Sequence, residues 1–113
     1  MHCNTQRAAS GRISLRPAVT SSAGTRPALV VSDDRFNDST AGLVLLCSLT
    51  TTERPGIPWH IAVGDDAGLP ERSFIMCEQV RSASKQRLSD RIGTVPASVM
   101  QKVKDRLQVL MAL

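Results

Sequence analysis

The sequence predicts a small, mainly β protein of the α+β class, in which one C-terminal helix packs on a few antiparallel strands. Short apolar runs bounded by turn-forming residues recur between residues 28 and 80, as in a small sheet or a partly open barrel. Apolar residues then recur at three- and four-residue steps from Val99 to Met111, which is the spacing of an amphipathic helix. The length of 113 residues is enough for one domain.

The elements follow one another in a simple order. Residues 1–25 carry at best one short strand near residues 12–16, and residues 21–24 have the composition of a loop. Apolar strands are predicted at 28–31, 42–49, 59–63 and 73–80, with polar loops between them. The Arg26-Pro27 step opens the first of these four, because a strand start tolerates a residue without an N–H. Residues 84–88 favour a helical turn, and the long helix begins near Pro96.

The basic charge of the chain is concentrated at its start. Four arginines and no acidic residue in residues 1–26 account for the whole net charge of +4. This balance suits a polyanionic partner such as nucleic acid, whereas an aromatic content of 3% disfavours base-stacking platforms. The longest apolar run, at 43–47, is far too short to span a bilayer, and no secretion signal is present. A cytoplasmic location is therefore expected.

Two of the three cysteines are predicted to be structural. Cys3, Cys47 and Cys77 are widely spaced, odd in number and form no CxxC motif, so neither a disulfide framework nor a zinc site is expected. Cys47 and Cys77 lie in apolar runs, where a thiol behaves as a small buried hydrophobe. This interpretation is preferred to a catalytic cysteine paired with His60.

The acidic doublets and the histidine are likewise better explained by structure than by chemistry. Asp33-Asp34 and Asp65-Asp66 lie in turn-like sequence and lack the spacing of a calcium loop. His60 is expected to be a solvated or hydrogen-bonded strand residue rather than an acid–base group. The residues alone therefore indicate no metal ion.

Arg26 and the run Thr50–Thr52 each lie at the end of a predicted apolar strand. Two neighbouring strands can bring a guanidinium and a hydroxyl together at the rim of a sheet, where the pair would bind a phosphate group. The same residues also fit a strand that begins with Arg-Pro and a threonine run of high β-propensity. The residues alone leave both interpretations open.

A resemblance to a known family extends over about residues 25–113. Residues 25–34 (TRPALVVSDD) resemble the Arg-Pro strand of the MazF/PemK family of toxin endoribonucleases, and residues 46–52 (LCSLTTT) resemble its strand ending in Thr-Thr. Gly68-Leu69 and residues 73–81 (SFIMCEQVR) are similar to its Gly-Leu…Ser…Gln-[Val/Ile]-[Arg/Lys] block. Residues 88–93 and the terminal helix fit the family in order and spacing.

The resemblance implies a fold and a function. The implied fold is CcdB/PemK-like, a small SH3-like antiparallel barrel with a C-terminal amphipathic helix that forms a homodimer. The implied protein is the toxin of a type II toxin–antitoxin system, which cleaves single-stranded RNA, often mRNA, at short sequences without a metal or other cofactor. Its partners would be RNA and a cognate antitoxin. The related CcdB toxins share the fold and bind a gyrase subunit, so a non-enzymatic toxin is the alternative.

The resemblance also implies the residues of the active site. Arg26 matches the catalytic arginine of the family and Thr50 its catalytic threonine. In the implied reaction a ribose 2′-hydroxyl attacks the adjacent phosphorus, leaving a 2′,3′-cyclic phosphate and a 5′-hydroxyl. Arg26 suits the stabilisation of negative charge, because arginine stays protonated and is a poor general base. RNA contacts are implied for Gln79, near the cleavage site, and for Ser21, Ser22, Thr51 and Arg81.

The chain departs from the family pattern before residue 25. Leu15-Arg16-Pro17 and the serines at 21 and 22 match fragments of the family's first strand and loop, but the strand aromatics and the loop glutamate are missing. We therefore predict a poorly ordered segment at 1–24, with a possible short degenerate first strand, and a toxin domain at 25–113. A degenerate, inactive toxin is the further alternative.

Overall fold

The computed structural model describes residues 18–22, 26–88 and 91–113, of which residues 18–22, 26 and 91 are described through their backbone alone. These residues form one sheet in the spatial order β4-β5-β3-β2-β1-β6, with every strand pair antiparallel. The strands are β1 Ala18–Ser22, β2 Arg26–Val30, β3 Leu43–Thr50, β4 His60–Val63, β5 Ser73–Ser84 and β6 Arg91–Thr94, and the helices are α1 Asp34–Asn37 and α2 Ala97–Met111. The antiparallel sheet and the C-terminal helix confirm the predicted fold class.

The main core lies between α2 and one face of the sheet. Val99, Met100 and Val103 are the buried positions of α2, and their three- and four-residue spacing places them on one side of the helix. Pro96, near which the helix was predicted to begin, is its N-cap and has an extended conformation. The first helical residue is Ala97. Within the described residues, no helix is long and apolar enough to cross a membrane. The sheet contributes these buried residues to the core: Leu29, Cys47, Leu49, Ile61, Val63, Ile75 and Cys77.

The opposite face of the sheet holds a smaller apolar cluster. Val30, Val44 and Leu46 are completely buried there, together with Ala28 and Ala83. In β3, the residues of this face alternate with residues of the main core, as the two-residue period of a strand requires. Continued toward the end of β3, the same alternation leads from Leu46 to Thr50, where the apolar cluster gives way to polar residues.

The start of the sheet differs from the sequence prediction. The predicted strand near residues 12–16 lies outside the described residues, whereas Ser21 and Ser22, predicted to lie in a loop, end the strand β1. Hydrogen bonding to β2 on one side and β6 on the other supports β1 despite its few apolar residues. The strand β6 was also missed by the prediction. The division of the chain at residue 24 stays a prediction.

A short helix replaces the loop predicted after β2. Asp33 caps α1 by accepting a hydrogen bond from the Arg35 N–H at 2.9 Å. The completely buried Asn37 donates to the Ser32 carbonyl at 3.0 Å, and its own carbonyl accepts from Lys85 Nζ at 2.6 Å. This helix is held by polar contacts, which explains why no apolar periodicity announced it.

Candidate active site

The two residues implied as catalytic lie at adjoining ends of two paired strands. Ala28 of β2 pairs with Ser48 of β3, and continuing this antiparallel register by two residues brings Arg26 opposite Thr50. On its other side, Arg26 pairs with Ser22 of β1. Facing residues of an antiparallel pair have Cα atoms roughly 4.5–5.5 Å apart. The fold thus brings together two positions that lie 24 residues apart in the chain.

The alignment continues across two more strands. Thr50 pairs with Phe74 of β5, and Phe74 pairs with Ala62 of β4. We refer to these five positions as the cross-strand row. They occupy positions at or near the ends of their strands, so a ligand can approach the row from the end of the sheet. Its members are Ser22, Arg26, Thr50, Phe74 and Ala62.

Thr50 is half-buried beside a small cavity. Its Oγ1 accepts a hydrogen bond from the Thr52 N–H at 3.2 Å, which ties the hydroxyl to the turn that follows β3. A cavity of about 190 Å³ is lined by Thr50, Thr51 and Pro27, with Leu49 and Ser73 completing its wall. The hydroxyl therefore sits at the mouth of a concave space next to the first residues of β2.

Gln79 lies in an irregular part of β5. The register of β3 and β5 shifts between the pairs Cys47–Val80 and Leu49–Ile75. Between these pairs β3 contributes only one residue, Ser48, whereas β5 contributes the four residues 76–79. A bulge of this kind re-aims side chains locally. Gln79 is exposed within the bulge, and Ser48 precedes Thr50 by two residues on the same strand. The bulge thus leaves Gln79 exposed opposite the part of β3 that precedes Thr50.

The other residues implied in RNA binding lie at different distances from Thr50. Ser22 belongs to the row, and Ser21 pairs with Pro27 next to it. Thr51 lines the cavity together with Thr50. Arg81 is exposed and pairs with Leu46, four residues before Thr50, which is roughly 13 Å along the strand. Arg81 therefore belongs to the periphery of the candidate site.

The sequence analysis missed a polar pair next to this site. His60 Nε2 lies 3.0 Å from Glu78 Oε2, and only 5% of the histidine side chain is exposed. This contact confirms the prediction of a hydrogen-bonded strand histidine. Among the described residues, Nδ1 of His60 has no hydrogen-bond partner. Since the partner of His60 comes from the bulge of β5, no sequence spacing could have indicated it.

The two cysteines of the sheet are buried free thiols, as predicted. Burial raises the pKa of Cys47 to about 12 and that of Cys77 to about 11. A thiol needs to be ionised to act as a nucleophile, so both side chains are chemically inert at neutral pH. The third cysteine, Cys3, lies outside the described residues.

We predict that iodoacetamide at pH 8 leaves Cys47 and Cys77 unmodified in the folded protein and modifies both in guanidinium chloride. The pKa values of both thiols in the folded protein exceed the unfolded value of 9.0. Their contribution to the stability of the folded protein is therefore complete below about pH 9. It is lost as the pH rises toward 12. Mass spectrometry of the two cysteine-containing peptides checks the result. Native labelling as fast as that of the denatured chain would contradict it.

The acidic doublets form local structure outside the cross-strand row. Asp66 accepts a hydrogen bond from the Gly64 N–H at 2.9 Å, and Asp33 caps α1, so both doublets serve turns as predicted. Asp65, Asp66 and Glu71 line a cavity of about 430 Å³ together with Ala62 and Arg72. Three carboxylates outnumber the single guanidinium, which makes this larger cavity a poor site for a phosphate group. Among the described residues, no three His, Cys, Asp or Glu side chains are grouped to hold a metal ion.

The fold and the candidate site together define a class of protein. The chain is a small β protein in which an antiparallel sheet packs against a C-terminal helix. Its sheet carries an arginine position, a threonine hydroxyl and an exposed glutamine, which together form a candidate phosphate site. The chain matches, over residues 12–111, the model of the PemK-like, MazF-like toxin of type II toxin–antitoxin systems. The chain belongs to this family.

Relatives and solved structures agree with that assignment. Endoribonuclease EndoA of Bacillus subtilis (strain 168) is 32% identical over 91 residues, which cover 80% of this chain and 78% of the relative. Endoribonuclease toxin MazF of Escherichia coli (strain K12) is 32% identical over 89 residues, covering 78% and 76%. A solved endoribonuclease from a mycobacterial species in complex with its cognate antitoxin is similar with a TM-score of 0.76 and 27% identity, covering 88% of this chain and 95% of that one.

Proposed function

We propose that this chain is a metal-independent endoribonuclease that cleaves single-stranded RNA, above all mRNA, at a short sequence. Its family supplies the toxins of type II toxin–antitoxin systems, and the relatives named above are endoribonucleases. The observation that supports the proposal for this chain is the β2–β3 register, which pairs Ala28 with Ser48 and, continued by two residues, would face Arg26 with Thr50 at a cavity that Thr50 lines. A guanidinium and a hydroxyl at this spacing suit one phosphate group.

The proposed reaction is an attack by the ribose 2′-hydroxyl on the adjacent phosphorus. The new P–O bond forms as the bond to the 5′-oxygen of the next nucleotide breaks, which leaves a 2′,3′-cyclic phosphate and a 5′-hydroxyl. Negative charge grows on the non-bridging oxygens in the transition state. Arg26 would stabilise this charge and Thr50 would fix the phosphate by a hydrogen bond, so both act by positioning and electrostatics.

The remaining polar residues of this end of the sheet are proposed to hold the RNA on either side of the cleaved bond. Gln79 in the bulge and Thr51 at the cavity are the nearest of them to Thr50. Ser22 extends the cross-strand row onto β1, and Ser21 precedes it on the same strand. Arg81 would contact the RNA backbone at the periphery through its charge, without reading the sequence.

The proposed partners follow from the family and from the surface of the chain. A cognate antitoxin would cover the RNA site, as an acidic flexible segment can, and the toxin would act in the cytoplasm. A homodimer is supported by apolar side chains left exposed at the end of α2, where Val109 is 66% and Leu113 is 85% exposed. Uncovered apolar side chains of this kind are typical of association surfaces.

Incubation of the purified chain with a long single-stranded RNA in excess EDTA tests the proposal. We expect discrete fragments whose 5′ ends accept phosphate from a kinase without prior phosphatase treatment, because they carry hydroxyl groups. RNA that stays intact, together with binding of a gyrase subunit, would instead favour the non-enzymatic CcdB-like alternative. Intact RNA from a chain that melts without cooperativity would indicate a degenerate toxin.

A further inference from the structure

A third cavity, distinct from the two described above, adjoins the cross-strand row on the side away from Arg26. It has a volume of about 240 Å³ and lies between the loop that follows β3, at residues 53–57, and the strands β4 and β5. Ala62 and Phe74 belong both to the row and to the wall of this cavity. The cavity therefore starts one strand away from Thr50.

One wall of the cavity is a flat cation resting on an aromatic ring. The guanidinium carbon of Arg72 lies 5.2 Å from the centroid of the Phe74 ring. Phe74 is 7% exposed, whereas 66% of the Arg72 side chain is exposed. The ring thus supports the inner side of the guanidinium, and the outer side is open to a ligand. Flat guanidinium groups of this kind stack on nucleobases in protein–RNA complexes.

The charged groups around the cavity select among ligands. Glu53 Oε1 lies 4.0 Å from Arg72 Nη1 and is exposed, so its carboxylate is free to accept hydrogen bonds from a ligand. His60, which is paired with Glu78, also lines the cavity. A carboxylate beside a stacking plane favours a base whose exocyclic amino group donates to it, whereas the exocyclic groups of uracil are carbonyl oxygens, which a carboxylate repels.

We propose that this cavity binds one base of the RNA, next to the cleaved phosphate, by stacking it on Arg72 within reach of Glu53. This inference rests on the proposed ribonuclease function and adds the residue that reads one position of the cleaved sequence. Neighbouring strands are roughly 4.8 Å apart. With the phosphate held at Arg26 and Thr50, the cavity beyond Phe74 is therefore within reach of the base of a flanking nucleotide.

Cleavage of an RNA library with random sequence tests the inference, with fragment ends read by sequencing. We expect the unmodified chain to disfavour uracil at one position flanking the cleaved bond, and the Arg72→Ala variant to lose that preference. The loss of one stacked base should slow cleavage of the preferred sequence about 5- to 150-fold. Arg72 is exposed, so the variant should keep the melting temperature of the parent chain.

Two further variants separate base reading from general charge. Arg87→Ala removes an exposed arginine after the far end of β5, and it should keep the full sequence preference. Glu53→Ala should admit uracil at the same position while stacking persists. An unchanged profile in Arg72→Ala, or an equal change in Arg87→Ala, would overturn the inference. A library left intact by the unmodified chain would overturn the ribonuclease proposal itself.

Discussion

Replacement of Arg26 by alanine is expected to abolish RNA cleavage while the protein stays folded. The cleaved phosphate would lose the group that stabilises its growing charge, and the loss of one such interaction lowers rates by about 100- to 1,000-fold. Arg26→Lys should recover only part of this loss, since a lysine keeps the charge but not the planar fork of donors. Single-turnover cleavage of a defined RNA measures both variants.

The Thr50→Ala variant is expected to lose activity for a different reason. The methyl group cannot donate a hydrogen bond to the phosphate, and the contact between Thr50 Oγ1 and the Thr52 N–H is lost as well. Thr52→Ala is the matched control, because its backbone N–H persists and its exposed side chain lies outside the cavity. Thr50→Ser restores the hydroxyl and should recover most of the activity.

The cleavage measurements on the Arg26 and Thr50 variants require a parallel test that each variant is folded. Circular dichroism and size-exclusion chromatography of each variant should match those of the parent chain, because both positions lie at strand ends. If the Arg26→Ala and Thr50→Ala variants cut RNA as fast as the parent chain, the assignment of the active site is wrong.

Strong periodicity made most of the fold predictable from the sequence. Continuous apolar runs predicted β2, β3 and β5, and the three- and four-residue spacing after Pro96 predicted α2. β6 was missed because its four residues, RIGT, contain one apolar residue and an interior glycine. Its place in the sheet comes from pairing with β1, which is a contact between distant segments that no local pattern contains.

The candidate site was predictable in its residue types but not in its geometry. The sequence placed Arg26 and Thr50 at strand ends, yet their facing positions depend on the β2–β3 register, which packing on both faces of the sheet determines. The contact between Arg72 and Phe74 had no periodic signal, because Arg72 lies just before β5 and Phe74 within it. No pattern in the sequence indicated the bulge that exposes Gln79.

The largest effect on stability is expected from Gly93→Ala. A Cβ at Gly93 would lie 2.4 Å from the carbonyl oxygen of Ala67 and 3.0 Å from its carbonyl carbon. Both atoms belong to the backbone of the turn before Gly68, so no side-chain rotation relieves the overlap. From the other side, a Cβ at Gly68 would lie 2.9 Å from the carbonyl oxygen of Ile92. The turn and β6 thus touch through two residues without side chains.

To relieve the overlap, β6 or the turn has to move, which opens the main core at the buried Ala67 and Leu69. Overpacking against a rigid backbone costs about 2–4 kcal/mol, so we expect a melting temperature lower by roughly 10 °C or more. Gly64→Ala is the matched control, because its Cβ would meet only the Arg72 Cα at 3.7 Å. Thermal unfolding at one fixed protein concentration compares them, since association shifts apparent stability. If the two variants melt together near the parent chain, β6 does not depend on this contact.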